Sequence, residues 1–342
     1  MKALVIPRHG DPDVLEYAEL PEPRIQANDV LVKVRACALN HLDLWVRRGL
    51  PGVSIALPHV PGSDVAGVVA QVGSHVHSVK VGERVVVVPG LSCGFCQQCQ
   101  AGDDNRCDRY TILGFLVDGG CAEFVRVPES NLLPIPENLP YEEAAAVPLV
   151  FLTAWHMLLT RARLQPGEDV LVLGAGSGVG SAAIQVARLA GARVFATIGN
   201  ESKRQKALEL GAEAVLNRTE VDVASEVRRL TDRRGVDVVV EHVGQETWKQ
   251  SIASLAVGGR LVTCGATTGS DAEIDLRALF SRNLTLLGSY MGRRSELVTI
   301  LKLVGERRLR AVVDSVMPLS QGVRAHLRME RSEHFGKIVL IP

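Results

Sequence analysis

The chain divides by the rhythm of its apolar residues. In the N-terminal part, short β-branched runs at 2–6, 30–36, 65–72 and 84–88 are separated by proline, glycine and charged turns, a pattern that predicts strands. The segment VKVGERVV (79–86) reads as a turn leading into one of them, and 121–127 adds another run. These predict an antiparallel, barrel-like β domain with a short helix inserted at 38–48. Residues 93–107 are polar and glycine-containing and predict little regular structure. Over 141–164 the period becomes helical. Pro148 interrupts it, and the longer helix is expected to begin near Thr153.

From Gly167 onward strands alternate with helices. Strands are predicted at 170–173, 193–197, 214–216, 237–240, 260–263 and 284–287, and helices at 178–190, 201–210, 222–233 and 245–256. Such alternation argues for an α/β fold with a doubly wound parallel sheet and helices on both faces. Helix 295–306, the run 310–313 and the strand 336–341 fall outside the six-strand count and are expected to return to the first domain.

The stretch DVLVLGAGSGVGSAAIQVARLAGARVFATI (169–198) organises the second half. A strand leads into Gly174, Gly176, Gly178 and Gly180, with Ser177 among them. A helix and a second strand follow. Strand, glycine turn, helix and strand within about thirty residues is the dinucleotide-binding unit. Its glycines allow a tight turn, let backbone N–H groups approach a pyrophosphate and let the helix pack close to the sheet.

Composition narrows the function classes. The 342 residues suggest about two domains. Formal net charge is zero, and basic–aromatic patches are lacking, so nothing points to nucleic acid or an anionic membrane. No apolar run approaches the ~18 residues needed to span a bilayer, and the N-terminal MKALVIPRHG lacks a signal-peptide core. The expected location is cytoplasmic. Four of the seven cysteines, Cys93, Cys96, Cys99 and Cys107, follow a C-x2-C-x2-C-x7-C spacing. Four thiolates so close together can occupy one tetrahedron, the closed arrangement of structural zinc. An iron–sulfur cluster is the alternative, and zinc explains the spacing better.

With that cluster placed before the glycine-rich unit, the chain resembles the medium-chain dehydrogenase/reductase superfamily of zinc alcohol dehydrogenases and quinone oxidoreductases. The matching segments run end to end: PGSDVAGVV (61–69), DGGCAEFV (118–125), PLVFLTAW (148–155) and FGKIVL (335–340). The resemblance implies a GroES-like catalytic domain, 1–150 with 290–342, into which a Rossmann domain, 151–289, is inserted. It also implies a cleft between them, a small-molecule substrate, and a homodimer or homotetramer. Relatives with catalytic zinc hold it by Cys, His and Cys. Those positions fall here on Asn40, Ser63 and Leu149, none of which supplies a thiolate or imidazole. The relay hydroxyl and relay histidine positions fall on Leu42 and Trp45. No catalytic zinc is therefore expected, only the one structural zinc. Asn40, Asp43, Ser63 and Asp64 are the candidates for lining the catalytic site. His41, Asp43, His59 and Asp64 offer a less favoured metal set.

The resemblance further implies that His41 contacts the pyrophosphate, that Val179 and Thr153 touch the nicotinamide, and that Lys337 belongs to the cofactor-binding set. Val243 and Gly265 follow later strands at their carboxyl ends, where ligands bind in open α/β sheets. NAD-preferring sites place an acid after the second strand, and here Ile198 is followed by Gly199, Asn200, Glu201, Ser202, Lys203 and Arg204. The missing acid, together with Asn200, Ser202, Lys203 and Arg204, favours NADP(H) over NAD(H). The expected activity is hydride transfer to quinones, enones or related activated carbonyl compounds without catalytic zinc. The alternatives are an alcohol or aldehyde dehydrogenase and a non-enzymatic nucleotide sensor.

Overall fold

The computed structural model describes residues 1–342. The chain forms two compact units, Met1–Leu149 with Arg293–Pro342, and Val150–Gly292.

The first unit is built on strand Asp29–Ala38, ten residues with alternating apolar side chains. It pairs antiparallel with Asp64–Val72 along its length, with Phe124–Pro128 over its first half, and with Lys337–Ile341 at its last residues. Arg84–Val87 and Leu132–Pro134 extend the sheet on one side, and Val313–Pro318 extends it on the other. Beneath lies a core of Val32, Val34, Val65, Val85, Ile338 and Leu340, each 3 % exposed or less. One register decides where the chemistry collects. Ala38 lies opposite Asp64 on one side and Val339 on the other. Asn40, two residues past Ala38, and Lys337, two residues before Val339, are thereby delivered to one corner.

The second unit holds the six strands expected from the sequence, all parallel, in the order Ala214–Asn217, Arg193–Ile198, Asp169–Val172, Val236–Glu241, Leu255–Thr263, Thr285–Gly288. That is the doubly wound order, with a switch point beside the first strand. At the amino ends of the strands Asp169 receives Arg193 at 2.6 and 2.8 Å and Arg234 at 2.6 Å. This network ties three strand starts together, away from the carboxyl ends where the glycine turn lies.

Helix Gln245–Ser254 ends before the predicted 256, because strand Leu255–Thr263 begins well ahead of the predicted 260, and boundaries differ from expectation at three further places. Pro148 separates helix Tyr141–Ala145 from the next but does not delay that helix to Thr153. Helix Pro148–Trp155 starts on the proline, whose fixed φ suits a first turn where no N–H partner is needed, and continues as a π-helical turn, His156–Arg161. The run expected at 310–313 is realised as Val313–Pro318, because pairing with the last strand and not local apolarity sets its extent. Segment 201–210 opens with a 3-10 turn, Glu201–Lys203, capped by Asn200, before helix Arg204–Glu209. The helices Leu276–Ser281 and Gly322–Glu330 carry too short or too mixed a pattern to be read beforehand.

In the first unit, Arg47 and His326 are fully buried. Arg47 Nη1 lies 3.3 Å from His326 Nδ1, Nε donates to the Gly10 carbonyl at 3.0 Å, and Nη2 is paired with Glu330. Burial, then the Arg47 charge, lowers the His326 pKa to about 3. A histidine whose folded pKa lies below its unfolded value of about 6.5 stays neutral in the fold and takes up a proton on unfolding. Its contribution to stability is therefore lost as pH falls from 6.5 toward 3. His326→Gln, which keeps an acceptor for Arg47, is expected to remove an acid sensitivity on the order of a few kcal/mol. Urea midpoints measured from pH 7 to pH 4 will fall less steeply in the variant, and parallel curves would refute this account.

Candidate functional site

In the first unit, helix His41–Arg48 begins at Asn40. Asp43, in its first turn, accepts the Asn40 N–H at 2.7 Å, the reach-back half of a capping box. Its other oxygen accepts the Gly62 N–H at 2.9 Å. Gly62 has φ +104°, and a β-carbon there would lie 2.7 Å from the thiols of both Cys37 and Cys121, so only glycine fits. Burial raises the Asp43 pKa to about 6, against the Asn40 N–H, the Lys337 charge and the Gly62 N–H, which all pull it down.

The Asn40 side chain does not cap its own helix. Its Nδ2 donates to Asp64 Oδ2 at 2.9 Å, and its Oδ1 accepts from Lys337. Lys337 Nζ also donates to Asp64 Oδ2 at 2.9 Å, and Asp64 Oδ1 accepts the Leu149 N–H at 2.8 Å. Asn40, Asp43, Ser63, Asp64 and Lys337 are all 5 % exposed or less. Within this cluster the Ser63 hydroxyl is buried and has no partner in the protein. The structure thus brings Asn40, Asp43, Ser63 and Asp64 together. It adds Lys337, named from the sequence among cofactor residues, as the counter-ion of Asp64. Sequence reasoning missed that pairing, because it depends on a strand register between residues 273 positions apart.

His41 does not join this cluster; its ring meets Trp45 edge-on at 5.1 Å. His59 is turned to the Gly114 carbonyl at 3.1 Å and to Asp118 at 3.5 Å. The set His41, Asp43, His59 and Asp64 is not gathered as ligands. The one group of three or more such side chains with converging ligand atoms is Cys93, Cys96, Cys99 and Cys107, whose sulfurs lie within 4.8 Å of one another. The Cys93–Cys99 and Cys96–Cys99 separations are 3.9 and 3.5 Å. Four sulfurs at ~2.3 Å from one zinc would stand about 3.8 Å apart, so the residues fit that ion. Backbone N–H groups of Cys93 and Arg109 point at Cys107 Sγ, and that of Cys96 at Cys93 Sγ, each at 3.3 Å. Such donors suit thiolates. The segment forms one helical turn, Gln97–Gln100, and a 3-10 turn, Asp104–Arg106, leaving the rest irregular.

In the second unit the glycine turn is fixed from three sides. Ser177 caps helix Gly178–Leu189 by accepting the Gly180 N–H at 2.8 Å, worth about 1 kcal/mol. Thr197 Oγ1 accepts the Gly174 N–H at 3.0 Å, and His242 Nε2 meets the Leu173 carbonyl at 2.7 Å. A β-carbon at Gly180 would lie 2.2 Å from the Gly174 carbonyl oxygen. Gly265 packs on the backbone of His242, which brings Val243 and Gly265 to the turn. Val243 and Gly244 donate to the buried Glu241 at 2.7 and 3.1 Å, and Thr247 and Ser251 complete its shell. Neither Glu241 nor His242 was singled out beforehand for this role. An acid ending an apolar strand just before a glycine is the signal that could have found Glu241.

Around the end of strand Arg193–Ile198 the basic residues separate. Lys203 lies along Gly176, its Cδ 2.7 Å from where a β-carbon would stand. Arg204, expected to face a 2′-phosphate, instead directs its donors to both Glu201 oxygens and the Val215 carbonyl. Asn200 accepts the Ser202 N–H at 3.0 Å, so these two shape the turn. Thr153 is buried in helix Pro148–Trp155, and Val179 lies half-buried in the first turn of the glycine helix. The glycine turn at the start of helix Gly178–Leu189, with Lys203 alongside Gly176, fits a dinucleotide pyrophosphate.

Comparison with known proteins agrees with these two units. The alcohol dehydrogenase GroES-like domain model matches residues 26–137, and the zinc-binding dehydrogenase model matches 178–306. A solved NAD-dependent alcohol dehydrogenase is 47 % identical, with a TM-score of 0.97 and 100 % of both chains covered. Crotonyl-CoA carboxylase/reductase of Cereibacter sphaeroides is 32 % identical over 96 % of this chain and 83 % of its own. Quinone oxidoreductase of Rattus norvegicus is 30 % identical over 100 % of this chain and 98 % of its own. The chain belongs to the medium-chain dehydrogenase/reductase superfamily. It is an oxidoreductase on an NAD(P)-binding fold, as its named relatives are.

The buried Lys337–Asp64 pair yields a direct test. Lys337→Met leaves an uncompensated carboxylate and is expected to destabilise the first unit by about 3–5 kcal/mol. Lys337→Met with Asp64→Leu should recover much of that loss. Denaturation of both single variants, Lys337→Met and Asp64→Leu, and of the double variant decides it, and additive losses would show that the charges are not coupled.

Proposed function

We propose that this chain reduces quinones, enones or related activated carbonyl compounds with NADPH and without a catalytic metal. The observation that carries the reading is the Asn40–Ser63–Asp64–Lys337 cluster. An amide and a hydroxyl stand where zinc-dependent relatives place ligands, with Leu149 at the third position, and the Lys337 ammonium donates to the amide oxygen of Asn40. Reduced nicotinamide, when bound, supplies a hydride to the far carbon of the conjugated acceptor. The charge that develops on the acceptor oxygen needs donors, and the unpartnered Ser63 hydroxyl and the buried Lys337 charge are suited to it. Asp64 holds Lys337 in place, and Asp43 holds the Gly62 backbone that leads into Ser63. Solvent returns the proton. The turn Gly174–Gly180 with Ser177, Val179, Val243 and Gly265 would hold the cofactor, with His41 and Thr153 as further contacts. Cys93, Cys96, Cys99 and Cys107 would hold one structural zinc.

A second reading, alcohol oxidation with NAD, is favoured by the 47 % identical solved structure that carries that description. Metal content and turnover separate the two. One zinc per chain, with quinone or enone reduction that survives a chelator, is expected. Two zincs per chain, with chelator-sensitive alcohol oxidation, would overturn the proposal. Cytoplasmic residence is part of the proposal, and no helix is long and apolar enough to cross a membrane.

We also propose a homodimer or higher homo-oligomer. Strand Thr285–Gly288 is an unpaired sheet edge, flanked in sequence by exposed Leu276, Phe280 and Tyr290. Open edges beside apolar side chains favour pairing with a second copy. Phe280→Asp is expected to shift the protein toward monomer in sedimentation experiments, and an unchanged oligomer would place the interface elsewhere.

A further inference from the structure

Gly199 is the first residue past strand Arg193–Ile198, where sheets of this kind meet the adenosine ribose of a dinucleotide. The side chain nearest to it is that of Arg218. A β-carbon at Gly199 would lie 3.6 Å from Arg218 Nε and 3.7 Å from Nη2. Arg218 is delivered there by the sheet, because its N–H donates to the Ile198 carbonyl at 2.9 Å, one step past the ladder between Arg193–Ile198 and Ala214–Asn217. Its guanidinium has one ionic neighbour, Glu246, at 3.6 Å, with the two side chains 39 % and 59 % exposed. Glu246 is anchored at the start of helix Gln245–Ser254, where its N–H donates to Thr268 Oγ1 at 3.1 Å.

We infer that Arg218 reads the 2′-phosphate of NADPH and that Glu246 is its built-in competitor, so an exchangeable ion pair sets the cofactor preference. This rests on the NADPH reading above and assigns it to a residue outside the segment 200–204. Arg204 is bound to Glu201 and Val215, and Lys203 lies along the glycine turn. Arg218 keeps a planar fork of donors that a phosphate can take two at a time. An exposed pair longer than a hydrogen bond is weak and salt-screened, so a dianionic phosphate displaces it readily. A ribose hydroxyl does not, and with NADH the guanidinium stays on Glu246. Graded preference, with both cofactors accepted, follows from this competition.

The test uses cofactor fragments, so that catalysis does not enter. Calorimetric titration compares 2′,5′-ADP with 5′-AMP on the wild type, Arg218→Gln and Glu246→Gln. Arg218→Gln is expected to weaken 2′,5′-ADP at least about tenfold while leaving 5′-AMP unchanged, as loss of a charge-assisted hydrogen bond requires. Glu246→Gln should tighten 2′,5′-ADP by about two- to fivefold, the size of a weak surface pair, with 5′-AMP unmoved. Equal weakening of both fragments in Arg218→Gln would overturn the assignment in favour of a structural role. Unchanged or weaker 2′,5′-ADP binding by Glu246→Gln would overturn the competitor. If the wild type itself fails to prefer 2′,5′-ADP, the NADPH reading falls. If it prefers that fragment and Arg218→Gln keeps the preference, only the assignment to Arg218 falls.

Discussion

The first unit depends on a charge pair that water does not reach. Lys337 and Asp64 are 3 % and 0 % exposed, and each would be costly to bury alone. Together they form the hub of a small polar network. Asp64 shares one oxygen between Lys337 and Asn40 and gives the other to the Leu149 N–H, in the first turn of helix Pro148–Trp155. The three strands that carry the hub are aligned by the pairing of Ala38 with Asp64 and Val339. A slip of one residue would turn every side chain of a strand to its other face. It would also strand a charge in the core, so electrostatics and hydrophobic patterning favour the same register.

On the proposed reading, the same arrangement gives chemical meaning to the residues at the positions where zinc-dependent relatives are expected to place ligands. Zinc would supply positive charge at the position of a developing oxyanion. Here the Asn40 amide oxygen accepts from an ammonium held by Asp64. The Ser63 hydroxyl, next in sequence to Asp64, has no partner in the protein. This is a milder electrophile than a metal. On the proposed reading it suits acceptors whose negative charge is spread by conjugation better than a localised alkoxide.

Legibility in the sequence followed the range of the interactions. The six parallel strands and the glycine turn are local patterns, and Gly174 through Gly180 could be placed by strand and helix on either side. The four cysteines are close in sequence, so spacing alone carried their geometry. Asn40, Asp43, Ser63 and Asp64 could be named through resemblance, but their partners could not, because Lys337 arrives from the far end of the chain. Arg218 was missed for the same reason, since its place beside Gly199 comes from the pairing of neighbouring strands. Arg204 shows the reverse case. A basic residue in the expected segment is engaged by Glu201, three residues earlier, and composition says nothing of such a pairing.

Strand Asp29–Ala38 has a further consequence for synthesis. Its partner Lys337–Ile341 leaves the ribosome long after it, with 297 residues separating Asn40 from Lys337. The second unit is continuous in the chain and has local βαβ contacts, so it can fold while the ribosome is still working. The first unit cannot. Until its last strand arrives, the edge at Cys37 and Ala38 is unpaired and Asp64 has no cation. The unit begun first is thus the unit completed last, and its open edge stays available to wrong partners until the last strand arrives.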